Sequence, residues 1–321
     1  MAVDQKIVGG DDDDIRLDRF FKRYFKDVTH VALEKALRKG SVRVNGKRVK
    51  ASARLHEGDT IRIPPFETKK AGDGKRRPGA ANQKVIASKI TPAAIAMIQQ
   101  SVVYKDAQVI IINKPAGLAV QGGSKITLSV DALLDALTFD AKERPKLVHR
   151  LDKDTSGALM LARTNKSAAR MAALFKGKGL YKEYLAIVAG VPDKQHGKVD
   201  VPIAKSEGKN QKVRSNPEGQ RAITEYHVLD HVGDMAALVR LMPITGRTHQ
   251  LRVHMSILDT PIAGDGKYGG GAAFIEDIEP KLHLHAWKIT FPDERGIDVT
   301  VTAPLPVHMR KSMVALGLSI G

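Results

Sequence analysis

The residue types best suited to chemistry lie in one short stretch, His149-Arg150-Leu151-Asp152-Lys153-Asp154-Thr155-Ser156-Gly157. Apolar runs precede and follow it, so it is predicted to form a tight turn between two buried strands. The Thr, Ser and Gly residues after the acids supply hydrogen bonds to the backbone and a permissive conformation. Asp152 lies between Arg150 and Lys153, and neighbouring cations favour an ionised carboxylate. A carboxylate in this state on a rigid turn suits a nucleophile or a general base.

The same residues allow two other interpretations. The simplest is a turn whose charges only face water. The second starts from Asp152 and Asp154, because paired carboxylates also hydrolyse glycosidic bonds. Hydrolysis needs a general acid, whereas the adjacent cations would hold both aspartates ionised. A nucleosidase is therefore disfavoured, and Asp154 is expected to brace the turn.

Charge and composition indicate a polyanionic partner. The 321 residues carry a net charge of +17, and aromatic residues make up only 5% of them. This balance suits a polyanion but not binding on a broad stacking platform. A membrane is disfavoured, because no basic helix carries bulky apolar anchors and no apolar run approaches the roughly 18 residues of a spanning helix. The chain does not start like a secretory peptide, so we expect a cytoplasmic protein.

The chain contains no cysteine. This fits a reducing compartment and excludes zinc and iron–sulfur sites that need cysteine ligands. It also excludes two classes of base-modifying enzyme, the Cys-ligated zinc deaminases and the RNA methyltransferases that attack uracil through a thiolate. The chain also lacks recognisable cofactor motifs, and neither a metal nor a cofactor is predicted.

Several strands and helices must hold the Asp152 turn in place. A buried strand is predicted over 109–112 and a short helix over 130–137, and Thr164 can cap a helix over 165–176. Further strands are predicted at 181–189, 199–203, 222–230, 235–242 and 283–291. Strands dominate in an irregular order with a few helices, which predicts an α+β domain with a mixed, mostly antiparallel sheet. Composition does not fix the strand order.

A small basic unit precedes this domain. Apolar residues recur with helical spacing from Ile15, and Thr29 and Gly40 can begin and end a second helix. The dipeptide Asn45-Gly46 predicts a hairpin turn. Between positions 35 and 54 the chain carries eight lysine or arginine residues and no acid. A cluster of one sign on a compact unit favours phosphate contacts over a merely solvated face.

Four motifs in order link the chain to a known enzyme family. They are the Asp152 stretch and the segments Asn113-Lys114-Pro115-Ala116-Gly117, Tyr181-Lys182-Glu183-Tyr184-Leu185-Ala186 and Thr245-Gly246-Arg247-Thr248-His249-Gln250-Leu251-Arg252-Val253-His254-Met255. Together they resemble the RluA-family pseudouridine synthases, which break the N1–C1′ bond of a uridine, turn the base and join C5 to C1′. This reaction requires no metal and no redox step. The basic unit over 15–63 is similar to the S4 RNA-binding module.

The resemblance implies roles for the catalytic residues. Asp152 is the essential aspartate, and the sequence leaves open whether it attacks C1′ or the uracil ring, or removes a ribose proton. Tyr184 is implied to stack on the uracil and to assist proton removal at C5, and Leu251 to pack on the base. Arg252 is implied to form an ion pair with Asp152. A guanidinium pairs with a carboxylate through two hydrogen bonds, so Arg252→Lys is expected to be poorly tolerated.

The resemblance also places residues against the RNA. A uridine in a folded RNA must leave its stack before Asp152 can reach it. Arg150 resembles the family residue that fills the vacated space, and its planar head suits stacking. A surface phosphate contact is its alternative role. His149 is assigned to substrate binding with Arg150. The RNA face of the S4-like module is expected to carry Arg38, Lys39, Arg43, Lys47 and Arg48.

Two patterns resemble sites of other kinds. Gly264, Gly266 and Gly269 match a dinucleotide-binding fingerprint, but no strand precedes them and no helix follows at once, so a loop is predicted. Four histidines, at positions 249, 254, 283 and 285, lack the spacing of a zinc site. They are expected to be core or RNA-facing side chains whose hydrogen bonds are satisfied.

Five segments are predicted: a disordered acidic leader (1–14), the S4-like domain (15–63), a basic linker with a short helix (64–100), the catalytic domain (101–310) and a C-terminal tail (311–321). The S4 unit and Val120-Gln121-Gly122-Gly123 are most similar to the RluC type within the family. This implies 23S ribosomal RNA, or a large-subunit assembly intermediate, as the partner of a monomeric enzyme. Gln121 stands where histidine is expected, which leaves a tRNA or another ribosomal site open. A non-catalytic RNA-binding assembly factor is the alternative outside catalysis.

Overall fold

The computed structural model describes residues 4–25, 27–66, 90–123, 126, 128–177, 179–206 and 212–321, with Asp11 described by its backbone alone. The chain divides into two compact units, Met1–Arg76 and Arg77–Gly321. Most of the predicted basic linker lies outside the described residues. Within the described ranges, no helix is long and apolar enough to cross a membrane.

In the described part of the N-terminal unit, two helices pack against short strands. In chain order its elements are β1 (Asp4–Ile7), β2 (Ile15–Arg16), α1 (Leu17–Tyr24), α2 (His30–Lys39), β3 (Arg43–Val44), β4 (Arg54–Leu55) and β5 (Thr60–Ile63). The Ala32 N–H donates to Thr29 Oγ1 (3.2 Å) at the start of α2, and Gly40 ends the helix with a φ of 70°. Both predicted ends of this helix are confirmed. Phe20 and Phe21 of α1 are buried in the core of the unit.

The first residues do not form the disordered leader that their composition predicts. β1 pairs antiparallel with β5, and Val8 is only 1% exposed. Arg23 Nη1 lies 2.6 Å from a carboxylate oxygen of Asp12, and Arg54 Nη1 lies 2.7 Å from one of Asp14. The prediction for 1–14 is therefore wrong over the described residues 4–14. Cations that are distant in sequence pair with these acids, and local composition does not reveal such partners.

The C-terminal unit is built on a ten-stranded sheet with a separate two-stranded hairpin. In chain order the strands are β6 (Val102–Lys105), β7 (Val109–Lys114), β8 (Lys146–Leu147), β9 (Ser156–Ala162), β10 (Tyr181–Ala189), β11 (His196–Asp200), β12 (Ile203–Lys205), β13 (Val213–Ser215), β14 (Ile223–Val232), β15 (Ala236–Pro243), β16 (Leu284–Pro292) and β17 (Asp298–Thr302). The main path of the sheet is β11-β14-β15-β10-β16-β9-β7-β6, while β12 and β13 form the hairpin. Strands β9 and β16 run parallel, and the other strand pairs described for this sheet are antiparallel. The predicted mixed, mostly antiparallel α+β fold is confirmed.

The described residues of this unit form five helices that pack on the sheet or beside it: α3 (Pro92–Gln100), α4 (Val130–Leu133), α5 (Asn165–Gly177), α6 (Gln250–Ile257) and α7 (Val307–Leu316). A 3-10 turn, Leu134–Leu137, continues α4, so the predicted helix over 130–137 is present in two parts. The predicted tail begins inside α7, where Met309, Met313 and Leu316 are buried. The boundary at 310 is therefore wrong, because these apolar residues share one face of a helix that packs on the unit.

One row of residues across the sheet brings the Asp152 turn close to Tyr184. Ala286 of β16 is in register with Gly157 of β9 on one side and with Tyr184 of β10 on the other. Gly157 has a φ of 110°, and a Cβ there would lie 2.2 Å from the Ala286 carbonyl oxygen. Only glycine allows the two strands to approach so closely, which explains the glycine that ends the motif.

Candidate active site

The Asp152 turn opens onto a cavity of about 540 Å³. Residues from three parts of the chain line it: Asp152 in the turn before β9, Tyr184 on β10 and Leu251 on α6. Arg150 and His149 contribute to the same wall. This volume lies within the range of small-molecule pockets. The fold thus gathers at one cavity five residues that are up to about a hundred positions apart in the chain.

A buried lysine, Lys114, links the Asp152 turn to a neighbouring segment through hydrogen bonds to the backbone. Lys114 Nζ donates to the carbonyl oxygens of Pro115 (2.9 Å), Leu118 (2.8 Å) and Lys153 (3.0 Å), and the Lys114 side chain is inaccessible to solvent. Burial lowers the pKa of Lys114 to about 8, against the opposing effect of Asp154 and Asp152. Three carbonyl acceptors satisfy the three donors of the ammonium group. Lys114 therefore links the 115–118 segment to the residue next to Asp152.

The carboxylate of Asp152 is about one-fifth exposed, and its Oδ2 lies 3.8 Å from Nε2 of His249. Burial, and then the negative charge of Asp152, raise the pKa of the Tyr184 phenol. Tyr184 is therefore a neutral phenol at neutral pH. The two predicted catalytic side chains are close enough to interact electrostatically within the cavity.

The ion pair predicted between Arg252 and Asp152 is not the one that forms. Arg252 donates from Nε and Nη2 to the two oxygens of Asp265, each at 2.7 Å, and the Asp265 side chain is fully buried. Among the described residues, Arg252 and Asp152 make no ion pair within 4 Å, although the charge of Asp152 helps to raise the pKa of Arg252. The prediction of a direct pair is corrected: Asp265 fixes the guanidinium, which acts on Asp152 from a distance. The Asp265 carboxylate accepts both guanidinium N–H groups of Arg252 side by side, which is the favoured arrangement of such a pair.

The segment that supplies Asp265 is the glycine-rich stretch 264–269, which the sequence analysis treats as a loop. It is a loop in the structure. The Asp265 carboxylate also accepts from the N–H groups of Lys267 (3.2 Å) and Tyr268 (3.3 Å). Sequence reasoning missed Asp265 and Tyr268 as site residues. The available signal was the need of a buried arginine for a counter-charge, but that need does not single out one acid among 35.

The substrate-binding predictions for Arg150 and His149 differ in outcome. Arg150 is exposed at the cavity wall, where its head is accessible to RNA. His149 Nε2 accepts from the Met160 N–H (2.8 Å), and its ring stacks on Phe175 with centroids 4.5 Å apart. Burial, and then the charge of Lys182, lower the pKa of His149 to about 3. His149 is thus a neutral side chain that packs the wall of the cavity and has one ring nitrogen already occupied.

The remaining histidines of the false zinc pattern are satisfied by the protein. His283 contacts the Lys281 carbonyl oxygen (2.7 Å) and Ser312 Oγ (2.8 Å), while His285 contacts Ser156 Oγ (2.9 Å) and the Ala303 carbonyl oxygen (3.1 Å). His254 likewise contacts Thr224 Oγ1 and the Val201 carbonyl oxygen. These contacts agree with the predicted core role. The hydroxyl of Ser156 is therefore directed at His285, which joins the turn to β16.

The basic face predicted for the N-terminal unit is largely at the surface. Arg38, Lys39, Lys47 and Arg48 are exposed. Arg43 differs, because it is half-buried and donates to the carbonyl oxygens of Gly40 and Gly46, each at 3.1 Å. Arg43 therefore stabilises the two turns that flank β3. As a result, fewer of its N–H donors are left for RNA.

Comparison with known proteins places this geometry in a family. The pattern of the RNA pseudouridylate synthases matches residues 108–257, and that of the S4 domain matches residues 15–61. The chain is similar to the "Ribosomal large subunit pseudouridine synthase C" of Rickettsia bellii (strain RML369-C), with 39% identity over 92% of this chain and 96% of the relative. The protein of that name from Vibrio cholerae serotype O1 is 35% identical over 94% of this chain and 93% of its own length.

A solved structure agrees. The human protein "RNA Pseudouridylate Synthase Domain Containing 4" aligns with a TM-score of 0.60 and 31% identity, covering 71% of this chain and 97% of its own. The fold and the cavity define an RNA-modifying isomerase with an attached S4 domain. The chain belongs to the RNA pseudouridylate synthase family.

Proposed function

We propose that the protein converts specific uridines of 23S ribosomal RNA to pseudouridine and that Asp152 is the carboxylate that reacts. The target class is supported by the names of its relatives, which are ribosomal large subunit pseudouridine synthases. The observation that carries the assignment of the residue is the cavity. Asp152, Tyr184 and Leu251 all line it, which supports the assignment.

The proposed chemistry begins with base flipping. The target uridine leaves its stack and enters the cavity, and the exposed guanidinium of Arg150 occupies the space it leaves. Lys176, Lys182 and Arg247 also line the cavity, and their positive charges suit the flanking phosphates. The apolar side chain of Leu251 supports the edge of the uracil.

The bond exchange then needs one carboxylate and one aromatic group. The N1–C1′ bond breaks, C5 of the rotated uracil joins C1′, the C5 proton leaves and N1 gains a proton, so no atoms are lost overall. Asp152 assists the first step as a nucleophile or as a base at the ribose. Tyr184 stacks on the uracil, and because its phenol is neutral it takes the C5 proton only while it passes its own proton to a neighbouring base.

Partner and location follow from the same reasoning. Asp152, Tyr184 and Leu251 of a single chain already line one cavity, and we expect a monomer to be active. The exposed cations of the S4 unit are assigned to phosphates of the same RNA, either free or in a large-subunit assembly intermediate. The bacterial relatives are named as ribosomal large subunit pseudouridine synthases, and an enzyme that modifies ribosomal RNA in a bacterium is expected in the cytoplasm.

Tritium release from [5-³H]uridine-labelled ribosomal RNA tests the proposal directly. Asp152→Asn keeps the shape but removes the charge, and should reduce the rate by roughly a thousandfold or more. Asp298→Asn is the matched control, since Asp298 is an exposed residue of β17 and does not line the cavity, and it should stay near the wild-type rate. Equal absence of release from wild type and Asp152→Asn would favour a non-catalytic assembly factor.

A second experiment identifies the substrate. Pseudouridines are mapped in 23S RNA, other ribosomal RNA and tRNA from a strain that lacks the protein, with and without a plasmid-borne copy. Sites that disappear and return in 23S RNA are expected. Loss confined to tRNA would refute the ribosomal target while leaving the role of Asp152 intact.

A further inference from the structure

Two side chains outside the predicted catalytic set lie in line behind Asp152. His249 Nε2 is 3.8 Å from Asp152 Oδ2, and on the far side of the ring His249 Nδ1 is 2.5 Å from Tyr268 Oη. Tyr268 Oη also accepts from the backbone N–H of Val213, at 3.3 Å. The three contacts form one chain that runs from the β12–β13 hairpin to the reacting carboxylate.

The Val213 contact and the Asp152 contact together indicate where the protons of this chain lie. A backbone N–H can only donate, so it occupies one acceptor position of the Tyr268 hydroxyl. The hydroxyl proton remains available for Nδ1 of His249, and in that arrangement the imidazole proton is on Nε2. The reverse arrangement would aim an imidazole lone pair at the Asp152 carboxylate, which is unfavourable. Nε2–H therefore faces Asp152, and a gap of 3.8 Å can close when substrate binds.

The same imidazole is kept neutral. Burial lowers the pKa of His249, and the cations Arg252 and Lys267 act in the same direction, whereas Asp152 and Asp265 oppose them. A neutral ring can donate to the carboxylate without introducing a second full positive charge beside it. It thus orients the carboxylate while reducing its basicity less than a cation would.

The backbone fixes the direction of the ring. His249 has a φ of 55°, which is rare for a residue with a side chain, and it immediately precedes α6. The ring of Tyr268 also lies against the Arg252 guanidinium, with 5.0 Å between Cζ and the ring centroid. One tyrosine therefore contacts both groups that act on Asp152.

We propose that Tyr268 is a positioning residue that acts through His249: its hydroxyl holds the imidazole proton on Nε2, and this N–H orients Asp152 for reaction with the uridine. The inference rests on the proposed function of Asp152 and extends it to the loop 264–269. In this loop Asp265 positions Arg252 and Tyr268 positions His249.

The tautomer of His249 provides a test that does not need activity. In ¹⁵N-edited NMR of the full chain, His249 is assigned by the signals lost in His249→Gln. The proton is expected on Nε2 in the wild type. In Tyr268→Phe, which keeps the ring against Arg252, partial population of the Nδ1–H form is expected. A wild-type ring protonated on Nδ1 overturns the proposal, whether or not the protein is active on ribosomal RNA.

Single-turnover tritium release tests the consequence for the rate. His249→Leu should slow the reaction about a hundredfold, because it loses the donor that faces the charged Asp152 carboxylate. Tyr268→Phe should slow it about tenfold, because it loses the hydrogen bond that orients this donor, and RNA affinity should be unchanged in both variants. His249→Gln restores a side-chain N–H donor, and should recover about tenfold over His249→Leu. Tyr226→Phe serves as the control, since Tyr226 is a buried tyrosine outside the cavity lining.

The double variant separates positioning from general structural support. If Tyr268 acts through His249, Tyr268→Phe should add less than about twofold to the loss caused by His249→Leu. The proposal would be overturned if the rate losses of Tyr268→Phe and His249→Leu multiplied in the double variant. Equal rates for His249→Gln and His249→Leu would also overturn it. If the wild type itself releases no tritium, the proposed function fails, and the NMR result still decides which way the His249 proton points.

Discussion

The two units of the protein use charge in different ways. In the N-terminal unit four of the five residues assigned to the RNA face are exposed, and among its described residues Asp12 is the buried charged side chain. In the C-terminal unit Lys114, Arg252 and Asp265 are all buried and hydrogen-bonded. Surface cations supply affinity for phosphate that salt weakens. Buried charges instead supply geometry, because an unsatisfied partner is costly and the arrangement is therefore fixed.

The strongest test of this contrast is to break one buried pair and one exposed pair of the same type. Asp265→Asn leaves the Arg252 guanidinium buried without its counter-charge, and should lower the free energy of unfolding by about 3–5 kcal/mol. Urea unfolding followed by Trp287, the single tryptophan of the chain, measures this change in the C-terminal unit.

The control for that experiment is Asp200→Asn. Asp200 Oδ2 lies 2.9 Å from Nη2 of Arg221, and the two side chains are 38% and 69% exposed. Loss of this surface pair should cost no more than about 1 kcal/mol. Similar losses from both variants would contradict the contrast between buried and exposed charge.

A second test compares two glycines with positive φ, one in each unit. Gly157→Ala places a Cβ 2.2 Å from the Ala286 carbonyl oxygen and should destabilise the C-terminal unit by about 3 kcal/mol and reduce activity. Gly46→Ala, with a φ of 75° and no heavy atom within 4 Å of the new Cβ, should cost about 1 kcal/mol. Thermal unfolding by circular dichroism gives both values. Equal destabilisation would mean that backbone strain, and not the approach of β9 to β16, is what requires Gly157.

The third test is the response to acid. Burial, opposed by hydrogen bonds to backbone carbonyls, lowers the pKa of both His283 and His285 to about 4. Below pH 6.5 these two histidines take up protons in the unfolded chain, while the folded rings stay neutral. Their contribution to the free energy of unfolding is therefore complete above pH 6.5 and is lost as the pH falls towards 4. From pH 6.5 to 5.5 these two side chains together should contribute a loss of roughly 2 kcal/mol.

The measurement is urea unfolding at several pH values, again followed by Trp287. His285→Gln should reduce the slope of stability against pH, since one of the two groups is removed. A stability that is flat between pH 6.5 and 5 would show that these side chains are protonated in the folded state.

The smallest effect is expected at the surface of the S4 unit. Lys47→Gln should leave stability within about 0.5 kcal/mol of wild type and the single-turnover rate unchanged. The slope of log Kd against log salt concentration should fall by about one for the lost phosphate contact. Lys311→Gln, at an exposed lysine of α7, is the matched control with no expected change. An unchanged slope for Lys47→Gln would remove Lys47 from the RNA face.

Local signals were reliable where the physics is local. The cap at Thr29, the stop at Gly40 and the helix over 165–176 were predictable because each depends on a few neighbouring residues. The wrong predictions are those that depend on distant partners. The aspartates at 12 and 14 bind arginines from α1 and β4, and the residues after 310 bury apolar side chains in a helix.

By itself the sequence determined the chemistry available to this protein: an aspartate on a tight turn, an aromatic residue on a strand, a basic N-terminal module and the absence of cysteine. These follow from residue type and short-range spacing. Only the tertiary structure decided how the polar groups are paired, so that Arg252 binds Asp265 and His249 lies between Tyr268 and Asp152. The reason is that a buried hydrogen bond is specified by distance and direction in space, and many acids and hydroxyls in the chain could satisfy it equally well by type.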